Sequence, residues 1–413
     1  MKLLWLNAGL LLPLDKGGKL RTWHLMRHLS QRHEITYLSF EEASQSADDR
    51  DGMREVCERV ITIPRTDAAK RTLAFYADAA RHVIAPLPYA VGKYRSAEYA
   101  AQVRRLLHGE PFDAVVADFL PPVVNLPADL SIPSVLFTHN VEAEIWRRHA
   151  GNASNPVSRA LMTQQWKRML RFEGEALGRF DLVLAVSEAD RQTFGRLYPG
   201  ALRRPVHVVR TGVDTAYFTP IPGRERRAHL VFTGSMDWLP NEDGMLYFVR
   251  EILPRIRQAE PNVTLSIVGR APTPAVTRLA DLPGIEVTGR VDDVRPHVAA
   301  GEVYIVPLRI GGGTRLKIFE AMSMARAVVS TTVGAEGLPV TPGRDIVIAD
   351  EPARFAAAVV GMIRDAGARE RIAAEARRLV VEGYDWAAVA TDFEDALTAA
   401  NDAGPAMPSR LSA

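Results

Sequence analysis

The segment "VYIVPLRIGGGTRLKIFEAMSMARAVVSTTVGAEGLP", residues Val303–Pro339, decides the fold of this part of the chain. It begins with a short apolar run, passes through three glycines into a stretch with helical periodicity, and returns to a second apolar run. This order predicts a strand, a glycine loop, a helix and a second strand, the unit from which parallel sheets are built.

Two cations, Arg315 and Lys317, fall in the first turn of the predicted helix. A helix N-terminus carries partial positive charge, so cations there are unfavourable unless an anion binds nearby. The preceding glycines let a ligand approach the backbone, and Thr314 can cap the helix. Together with the free N–H groups of the first turn, this pattern predicts an anion site, with a diphosphate as its ligand.

Glu320 lies three residues after Lys317 and therefore on the same face of the helix. A carboxylate can accept two hydrogen bonds from a vicinal diol such as a ribose. Phosphate donors and a diol acceptor on one helix predict a nucleoside diphosphate site. An exposed Glu–Lys pair on an ordinary helix is the simpler alternative, but the glycines at the strand end favour the nucleotide site.

The same alternation of apolar runs and helical periods extends along all 413 residues. Nearly continuous apolar strands between helices indicate parallel sheets that are covered on both faces. Thirteen candidate strands are too many for one ordinary open sheet, so we expect an α/β protein with two doubly wound, Rossmann-like domains. The candidates are "KLLWLN", "EITYLSF", "RVITIP", "DAVVAD", "SVLFTH", "LVLAVS", "VHVVR", "HLVFTGS", "VTLSIVG", "IEVTG", "VYIVPL", "AVVSTT" and "DIVIAD".

A boundary between the two domains is predicted in "TGVDTAYFTPIPGRERRAH", which contains two prolines, a glycine and a charged run. The predicted organisation is an N-terminal domain (1–210), a linker (211–225), a C-terminal domain (226–385), an amphipathic helix (386–400) and a disordered tail (401–413).

The composition is that of a soluble globular protein, with 47% hydrophobic and 24% charged residues. A net charge of +2 gives no indication of nucleic acid binding. The single cysteine, Cys57, excludes an internal disulfide and suits a reducing, cytoplasmic compartment. No Cys/His cluster has zinc spacing, and no apolar run approaches the roughly 20 residues that span a bilayer. Lys2–Asn7 is predicted to be a buried strand and not a signal peptide, because no cleavage site follows it.

Several segments together resemble glycosyltransferase family 4, the retaining transferases with the two-domain GT-B fold. They are "VVRTGVDTAYFTP", "LVFTGSMDWLPNEDGMLYFVREILPRI", "IEVTGRVDDVRPHVAAGEVYIVPL" and the glycine-loop segment quoted first. The resemblance covers Val208 to about Trp386, and the N-terminal half matches only weakly. It implies two Rossmann-like domains facing a central cleft, an acceptor bound by the N-terminal domain, a nucleotide-sugar donor bound by the C-terminal domain, and a final helix that crosses back to the N-terminal domain.

The resemblance also implies roles for individual residues of the glycine loop and its helix. Glu320 would bind the ribose hydroxyls. Arg315 and Lys317, with the amides of Gly313 and Thr314, would hold the diphosphate and stabilise its departure.

Other implied site residues lie outside that helix. Gly234 and Ser235 would line the donor site, and Arg290 and Val291 would contact the base. In the N-terminal domain, a further set resembles the family's glycine loop and its histidine near the donor sugar: Gly17, Gly18 and His139. The predicted catalytic residues are His139, Arg315, Lys317 and Glu320.

Three positions depart from the family pattern. The family's second glutamate, eight positions before Glu320, is here Gly312, so we expect loop amides to contact the sugar there. The usual Arg and Lys after the "FTG" strand are replaced by "SMDWLPNED", and we expect Arg315 and Lys317 to take over their role. Thr211 replaces the linker asparagine.

Two other patterns have simpler explanations. Asp49-Arg50-Asp51 mimics a metal-binding Asp-x-Asp but lies in a hydrophilic stretch, which predicts a solvated loop. The segments "WRRHAGN" and "WKRMLRFEGEALGRF" predict either an ordinary helix surface or a basic face that touches anionic lipid.

The predicted function is a glycosyltransferase that moves a sugar from a UDP, GDP or TDP donor to a glycan, a lipid-linked or a small-molecule acceptor. We expect retention, no metal and no other cofactor, a role in polysaccharide, lipopolysaccharide or other glycoconjugate biosynthesis, and a cytoplasmic protein with peripheral contact to the inner face of the membrane. The alternatives are a non-catalytic nucleotide-sugar-binding partner subunit and a nucleotide-sugar epimerase or hydrolase of the same fold. A dinucleotide-dependent oxidoreductase is disfavoured, because no G-x-G-x-x-G follows a strand.

Overall fold

The computed structural model describes residues 1–14, 17–43, 45–65, 72, 85–151, 155–310 and 316–402. The chain divides into two compact units, one formed by Met1–Arg210 with Val389–Ala413 and the other by Thr211–Ala388. Residues 403–413 of the predicted disordered tail lie outside the described residues.

The first unit contains a parallel sheet of seven strands within the described residues. They are β1 (Lys2–Leu6), β2 (Glu34–Glu42), β3 (Arg59–Arg65), β4 (Ala114–Asp118), β5 (Ser134–Phe137), β6 (Leu182–Ala185) and β7 (His207–Val208). Their spatial order is β3-β2-β1-β4-β5-β6-β7. The central strands β4, β5 and β6 are buried at every residue, as expected for strands covered on both faces.

The helices of the first unit connect these strands on the two faces of the sheet. They are α1 (Gly17–Leu29), α2 (Ala47–Gly52), α3 (Tyr89–Gly92), α4 (Ala97–Gly109), α5 (Glu142–Gly151), α6 (Pro156–Leu177) and α7 (Glu188–Leu197). Short 3-10 turns occur at Met53–Glu55 and Pro121–Asn125.

The second unit repeats this architecture with six parallel strands in its described residues. They are β8 (His229–Thr233), β9 (Thr264–Val268), β10 (Ile285–Gly289), β11 (Val303–Val306), β12 (Ala327–Ser330) and β13 (Val347–Ile348). Their order is β10-β9-β8-β11-β12-β13. Each of the thirteen described strands coincides with a predicted one, so the prediction of two doubly wound α/β domains is confirmed.

The helices of the second unit pack on both faces of this sheet. They are α8 (Leu239–Tyr247), α9 (Leu253–Ala259), α10 (Pro274–Thr277), α11 (Arg295–Ala300), α12 (Leu316–Ser323), α13 (Pro352–Arg364) and α14 (Ala366–Gly383). A π-helical turn at Phe248–Ile252 joins α8 to α9, and a 3-10 turn at Arg278–Asp281 follows α10. No described helix is long and apolar enough to cross a membrane.

The final helix, α15 (Trp386–Asp402), begins in the second unit, and its residues from Val389 onward belong to the first. Within the first unit, the Phe393 ring stacks on Trp5 of β1 with ring centres 5.6 Å apart. The predicted linker starts inside the second unit, where the Val213 amide donates to the Tyr384 carbonyl at 2.7 Å.

Strand order places a crevice in each unit. In the first unit, the chain continues from β1 to β2 on one side of the sheet and from β4 to β5 on the other. In the second unit, it continues from β8 to β9 on one side and from β11 to β12 on the other. Ligands of doubly wound sheets bind beyond the carboxyl ends of strands at such points. The ends of β1, β4, β8 and β11 are therefore where functional side chains are expected.

Candidate functional site

Helix α12 follows β11 and presents two of the predicted site residues. Its apolar side chains Ile318, Phe319 and Met322 are buried in the core of the second unit. Lys317 and Glu320 lie on another side of the helix and are only partly buried. The predicted site residues Gly312, Gly313, Thr314 and Arg315 lie outside the described residues, so their roles stay predictions.

The Lys317 ammonium is fixed against the carboxyl end of β8. Its Nζ lies 4.0 Å from the centre of the Phe232 ring and donates a hydrogen bond to Asn241 Oδ1 at 2.8 Å. A Cβ added at Gly234 would lie 2.6 Å from Nζ and 2.7 Å from Asn241 Nδ2, so a side chain at this position would crowd both groups. The structure therefore brings the predicted residues Lys317 and Gly234 together.

Glu320 occupies a partly desolvated position one turn further along α12. Burial raises the pKa of Glu320 to about 7, while the nearby Lys317 charge acts in the opposite direction. Burial is the main cause that raises the pKa of the Tyr304 phenol, and the nearby charge of Glu320 raises it further. The Tyr304 hydroxyl oxygen lies 2.5 Å from Thr233 Oγ1. A carboxyl group with this pKa changes charge near neutral pH and responds to the hydrogen bonds of a ligand.

Ser235 lies at the end of β8 beside a cation that the sequence did not single out. Arg270 Nε donates to Ser235 Oγ at 3.0 Å, and this hydroxyl donates to Asp237 Oδ1 at 2.5 Å. Arg270 follows β9, the strand beside β8, and Met236 N donates to its carbonyl at 2.9 Å. The available signal was the dipeptide Gly269-Arg270 after β9, which parallels Gly234-Ser235 after β8.

Arg290 and Val291 follow β10, the edge strand of the second sheet. Arg290 is exposed and Val291 is partly buried. The carbonyl of Gly289, just before them, accepts a hydrogen bond from the Gly269 amide at 3.2 Å. Both residues therefore share the carboxyl edge of the sheet with Gly234 but are separated from β8 by β9.

In the first unit, Asp118 forms the centre of a buried polar cluster at the carboxyl end of β4. Its Oδ2 accepts hydrogen bonds from Trp5 Nε1 at 3.1 Å, Asn7 Nδ2 at 2.7 Å and Thr22 Oγ1 at 2.7 Å. Its Oδ1 accepts one from His139 Nε2 at 2.8 Å. Asp118 thus links the ends of β1, β4 and β5 to helix α1.

His139 is held by this cluster in a defined tautomer. A carboxylate only accepts hydrogen bonds, so His139 Nε2 donates to Asp118 and Nδ1 carries a lone pair. Burial lowers the pKa of His139, with the Asp118 charge opposing it. The ring stacks on Phe119 with centres 3.8 Å apart, and the buried Nδ1 has no hydrogen-bond partner. Such an acceptor is prepared for a donor from a ligand.

Gly17 and Gly18 were expected in a loop, and this prediction was wrong because both belong to the first turn of α1. A Cβ at Gly18 would lie 2.9 Å from Phe119 Cζ and 3.4 Å from His139 Nδ1. The absence of a side chain at Gly18 therefore allows the start of α1 to lie against His139. Glycine is explained here by close packing and not by a loop conformation.

A cavity of about 370 Å³ opens beside this cluster within the first unit. Its wall contains Gly18 and Thr22 of α1, Asn7 after β1, and Phe119 after β4. Lys19, Glu42 and Gln45 add charged and polar groups, and Leu10, Leu11 and Tyr94 add apolar ones. The cavity can hold a small amphipathic group such as a sugar ring.

The acidic tripeptide Asp49-Arg50-Asp51 belongs to helix α2, so the prediction of a loop there was wrong. Asp49 accepts a hydrogen bond from the Ser46 amide at 2.9 Å, and Ser46 Oγ accepts one from the Asp49 amide at 3.1 Å. This reciprocal pair is a capping box and explains the acidic residue structurally. Among the described residues, no group of three His, Cys, Asp or Glu side chains could hold a metal ion.

Two family models match the chain. The model described as Glycosyltransferase Family 4 matches residues 16–217, and the model described as Glycosyl transferases group 1 matches residues 227–365.

The chain is also similar to parts of other proteins. The alpha-maltose-1-phosphate synthase of Mycobacterium tuberculosis is 25% identical over 332 residues, which are 72% of this chain and 79% of that protein. An uncharacterized 44.6 kDa protein in the cps region of Klebsiella pneumoniae is 26% identical over 165 residues, but the match spans only 38% of this chain and 42% of that protein.

Among solved structures, Anabaena Alr3699/HepE in complex with UDP shares the fold. The TM-score is 0.68 at 17% identity, and the match covers 97% of this chain and 100% of that one. Because the two family models account for both halves of the sequence, this chain belongs to the glycosyltransferases of family 4, group 1.

Proposed function

We propose that this protein transfers a sugar from a nucleoside diphosphate sugar to an acceptor hydroxyl. The observation that carries the proposal is the pair formed by the Lys317 ammonium and the Glu320 carboxyl, one turn apart on α12. They lie at the carboxyl ends of the neighbouring strands β8 and β11, where the chain leaves the sheet in opposite directions. Doubly wound folds bind ligands at such points.

In this proposal the Glu320 carboxylate accepts hydrogen bonds from the two ribose hydroxyls. Lys317 and Arg315, with the amides of Gly313 and Thr314, hold the diphosphate. Negative charge grows on the diphosphate as the bond to the anomeric carbon breaks, and fixed cations stabilise that charge without reorganisation. The proposed reaction therefore needs no metal and no other cofactor.

The proposed reaction retains the anomeric configuration. The bond between the anomeric carbon and the phosphate oxygen breaks, and the acceptor oxygen bonds to the same face of the sugar. The acceptor proton passes to the departing diphosphate. With Gly312 at the position of the family's second glutamate, backbone amides of the glycine loop take the contact to the sugar.

The donor is a UDP, GDP or TDP sugar. UDP is favoured because the structurally similar HepE was solved in complex with UDP. Arg290 and Val291, at the edge of the second sheet, are the proposed base contacts.

The first unit is proposed to bind the acceptor, with His139 Nδ1 accepting a hydrogen bond from a sugar hydroxyl. The cavity beside the buried Asp118 cluster combines polar and apolar walls that suit a glycan, a lipid-linked sugar or a small molecule. Gly18 lets the start of α1 lie against Phe119 and His139, and a ligand is proposed to contact the backbone of Gly17 and Gly18 there.

The proposed setting is polysaccharide, lipopolysaccharide or other glycoconjugate biosynthesis in the cytoplasm, with peripheral contact to the inner membrane face. The membrane contact is proposed because Lys167 and Arg171 are exposed on the surface of α6. Lysines and arginines on a helix surface are attracted to anionic lipid headgroups.

Product analysis by NMR tests the reaction. The full chain is incubated with α-configured UDP, GDP and TDP sugars and an acceptor panel. The proposal expects a new glycoside with α configuration that forms only in the presence of acceptor. Release of free sugar without acceptor would instead indicate a hydrolase, an altered donor sugar would indicate an epimerase, and a bound but unchanged donor would support the partner-subunit alternative.

The pKa of Glu320 predicts how UDP affinity depends on pH. Ribose hydroxyls donate to the ionised carboxylate, which becomes populated as the pH rises through about 7. UDP affinity is therefore expected to rise by about tenfold between about pH 6 and about pH 8 through this group alone. Calorimetric titrations of wild type and Glu320→Gln measure it, because the difference removes the ionisation of UDP itself. Parallel pH profiles in the two proteins would contradict the proposed contact.

A further inference from the structure

Asn241 connects the end of β8 to helix α12. It lies in the first turn of α8 and is 2% exposed. Its Oδ1 accepts the hydrogen bond from Lys317 Nζ at 2.8 Å, and its Nδ2 donates to the Ser235 carbonyl at 2.8 Å. One amide therefore contacts two predicted donor-site residues that lie far apart in the sequence.

These two partners fix the orientation of the Asn241 amide. Lys317 Nζ can only donate and the Ser235 carbonyl can only accept, so the amide oxygen must face the ammonium. The flipped amide would set donor against donor and acceptor against acceptor. Because Asn241 is buried and both ends are satisfied, the Lys317 ammonium is held in one place against the Phe232 ring.

Asn241, which accepts a hydrogen bond from Lys317, is neutral although carboxylates lie on either side of it in the sequence. Asp237 accepts a hydrogen bond from Ser235 Oγ at 2.5 Å, Glu242 accepts one from Thr273 Oγ1 at 2.8 Å, and Asp243 pairs with Arg309 Nη2 at 2.6 Å. Each of these three acids thus binds a partner other than Lys317. An amide orients an ammonium without cancelling its charge, whereas a carboxylate would compete with a bound anion.

We propose that Asn241 is a positioning residue that aims the Lys317 ammonium at the donor diphosphate while leaving its positive charge intact. The inference rests on the proposed function, since it assumes that Lys317 meets a diphosphate. It also explains how the "SMDWLPNED" segment works without the two cations that the family usually carries there: the segment supplies an orienting amide to a lysine on another helix.

A double-mutant cycle tests the proposal. UDP is titrated calorimetrically into the full-length wild type, Asn241→Ala, Lys317→Met and the double variant. Asn241→Ala is expected to weaken UDP binding about tenfold, the effect of one hydrogen bond to a charged group. In the Lys317→Met background the same change is expected to have almost no effect, because the group that Asn241 positions is gone. Equal losses in both backgrounds would overturn the proposal.

The variant Asn241→Asp distinguishes the charge of the Lys317 ammonium from its position. The matched control is Asn262→Ala, in an exposed turn of the same unit. The aspartate can still accept from Lys317 but neutralises it, so UDP affinity is expected to fall at least as much as in Asn241→Ala, with a weaker dependence on salt. Wild-type affinity in Asn241→Asp would show that the charge of Lys317 is not used. If wild type bound no diphosphate at all, the proposed function itself would fail, which is a different outcome from an uncoupled cycle.

Discussion

Replacing Glu320 with alanine is expected to weaken UDP binding by about a hundredfold, because two hydrogen bonds from the ribose to a carboxylate are lost. The carboxylate is costly to keep in this position, since burial raises its pKa to about 7. Glu320 is partly buried, and in the proposal the ribose hydroxyls donate hydrogen bonds to its ionised form. Calorimetric titration of the full chain with UDP measures the loss.

Two further variants keep this prediction specific. Glu320→Gln retains one acceptor and is expected to lose affinity less than Glu320→Ala. Glu251→Ala removes an exposed carboxylate of the same unit and is expected to bind UDP as wild type does. Equal affinity in Glu320→Ala and Glu251→Ala would contradict the assignment of the ribose site.

Replacing Asp118 with alanine is expected to lower the free energy of unfolding by about 3–5 kcal/mol. The side chain is fully buried and accepts four hydrogen bonds, from Trp5, Asn7, Thr22 and His139. Without it, these buried donors lose their shared acceptor. Scanning calorimetry of the full chain is expected to show a transition that falls by about 10 °C.

Asp129→Ala, which removes an exposed carboxylate of the same unit, is the control and is expected to leave the transition unchanged. Asp118→Asn keeps the shape and one acceptor, so its loss is expected to be intermediate. A transition of Asp118→Ala that matches that of Asp129→Ala would mean that the cluster does not stabilise the first unit.

The strands could be predicted from the sequence because each depends on local composition. The runs "DAVVAD" and "SVLFTH" are short, apolar and β-branched, and they form the buried strands β4 and β5. Parallel strands covered on both faces need little more than such runs between helices. Two sheets were predicted because thirteen strands are too many for one ordinary open sheet, and the structure confirms two sheets.

The proposed donor site could be derived from the sequence only in part. Lys317 and Glu320 were singled out because their spacing places them on one helical face, which is a local property. Asn241 was missed because its contact with Lys317 joins residues 76 positions apart. Arg270 was missed for the same reason, since its neighbour Ser235 lies on a different strand end.

The first unit shows a related limit. His139 was identified by its place after a strand, but its Asp118 partner lies on β4, and the two meet only because β4 and β5 are neighbours. Gly17 and Gly18 were expected in a loop because they resemble the glycine loop of the family. Helix α1 starts at these residues, and Gly18 is small because Phe119 lies against it.

The decisive experiment on the donor site is a calorimetric titration of the wild type with UDP, GDP, TDP and ADP in the presence of a chelator. We expect one of these diphosphates to bind with a micromolar dissociation constant without any metal, because the proposed site consists of Lys317, Glu320 and the start of α12. Absence of binding by all four, with magnesium as well as without it, would contradict the claim that this end of the second sheet is a nucleotide-sugar donor site.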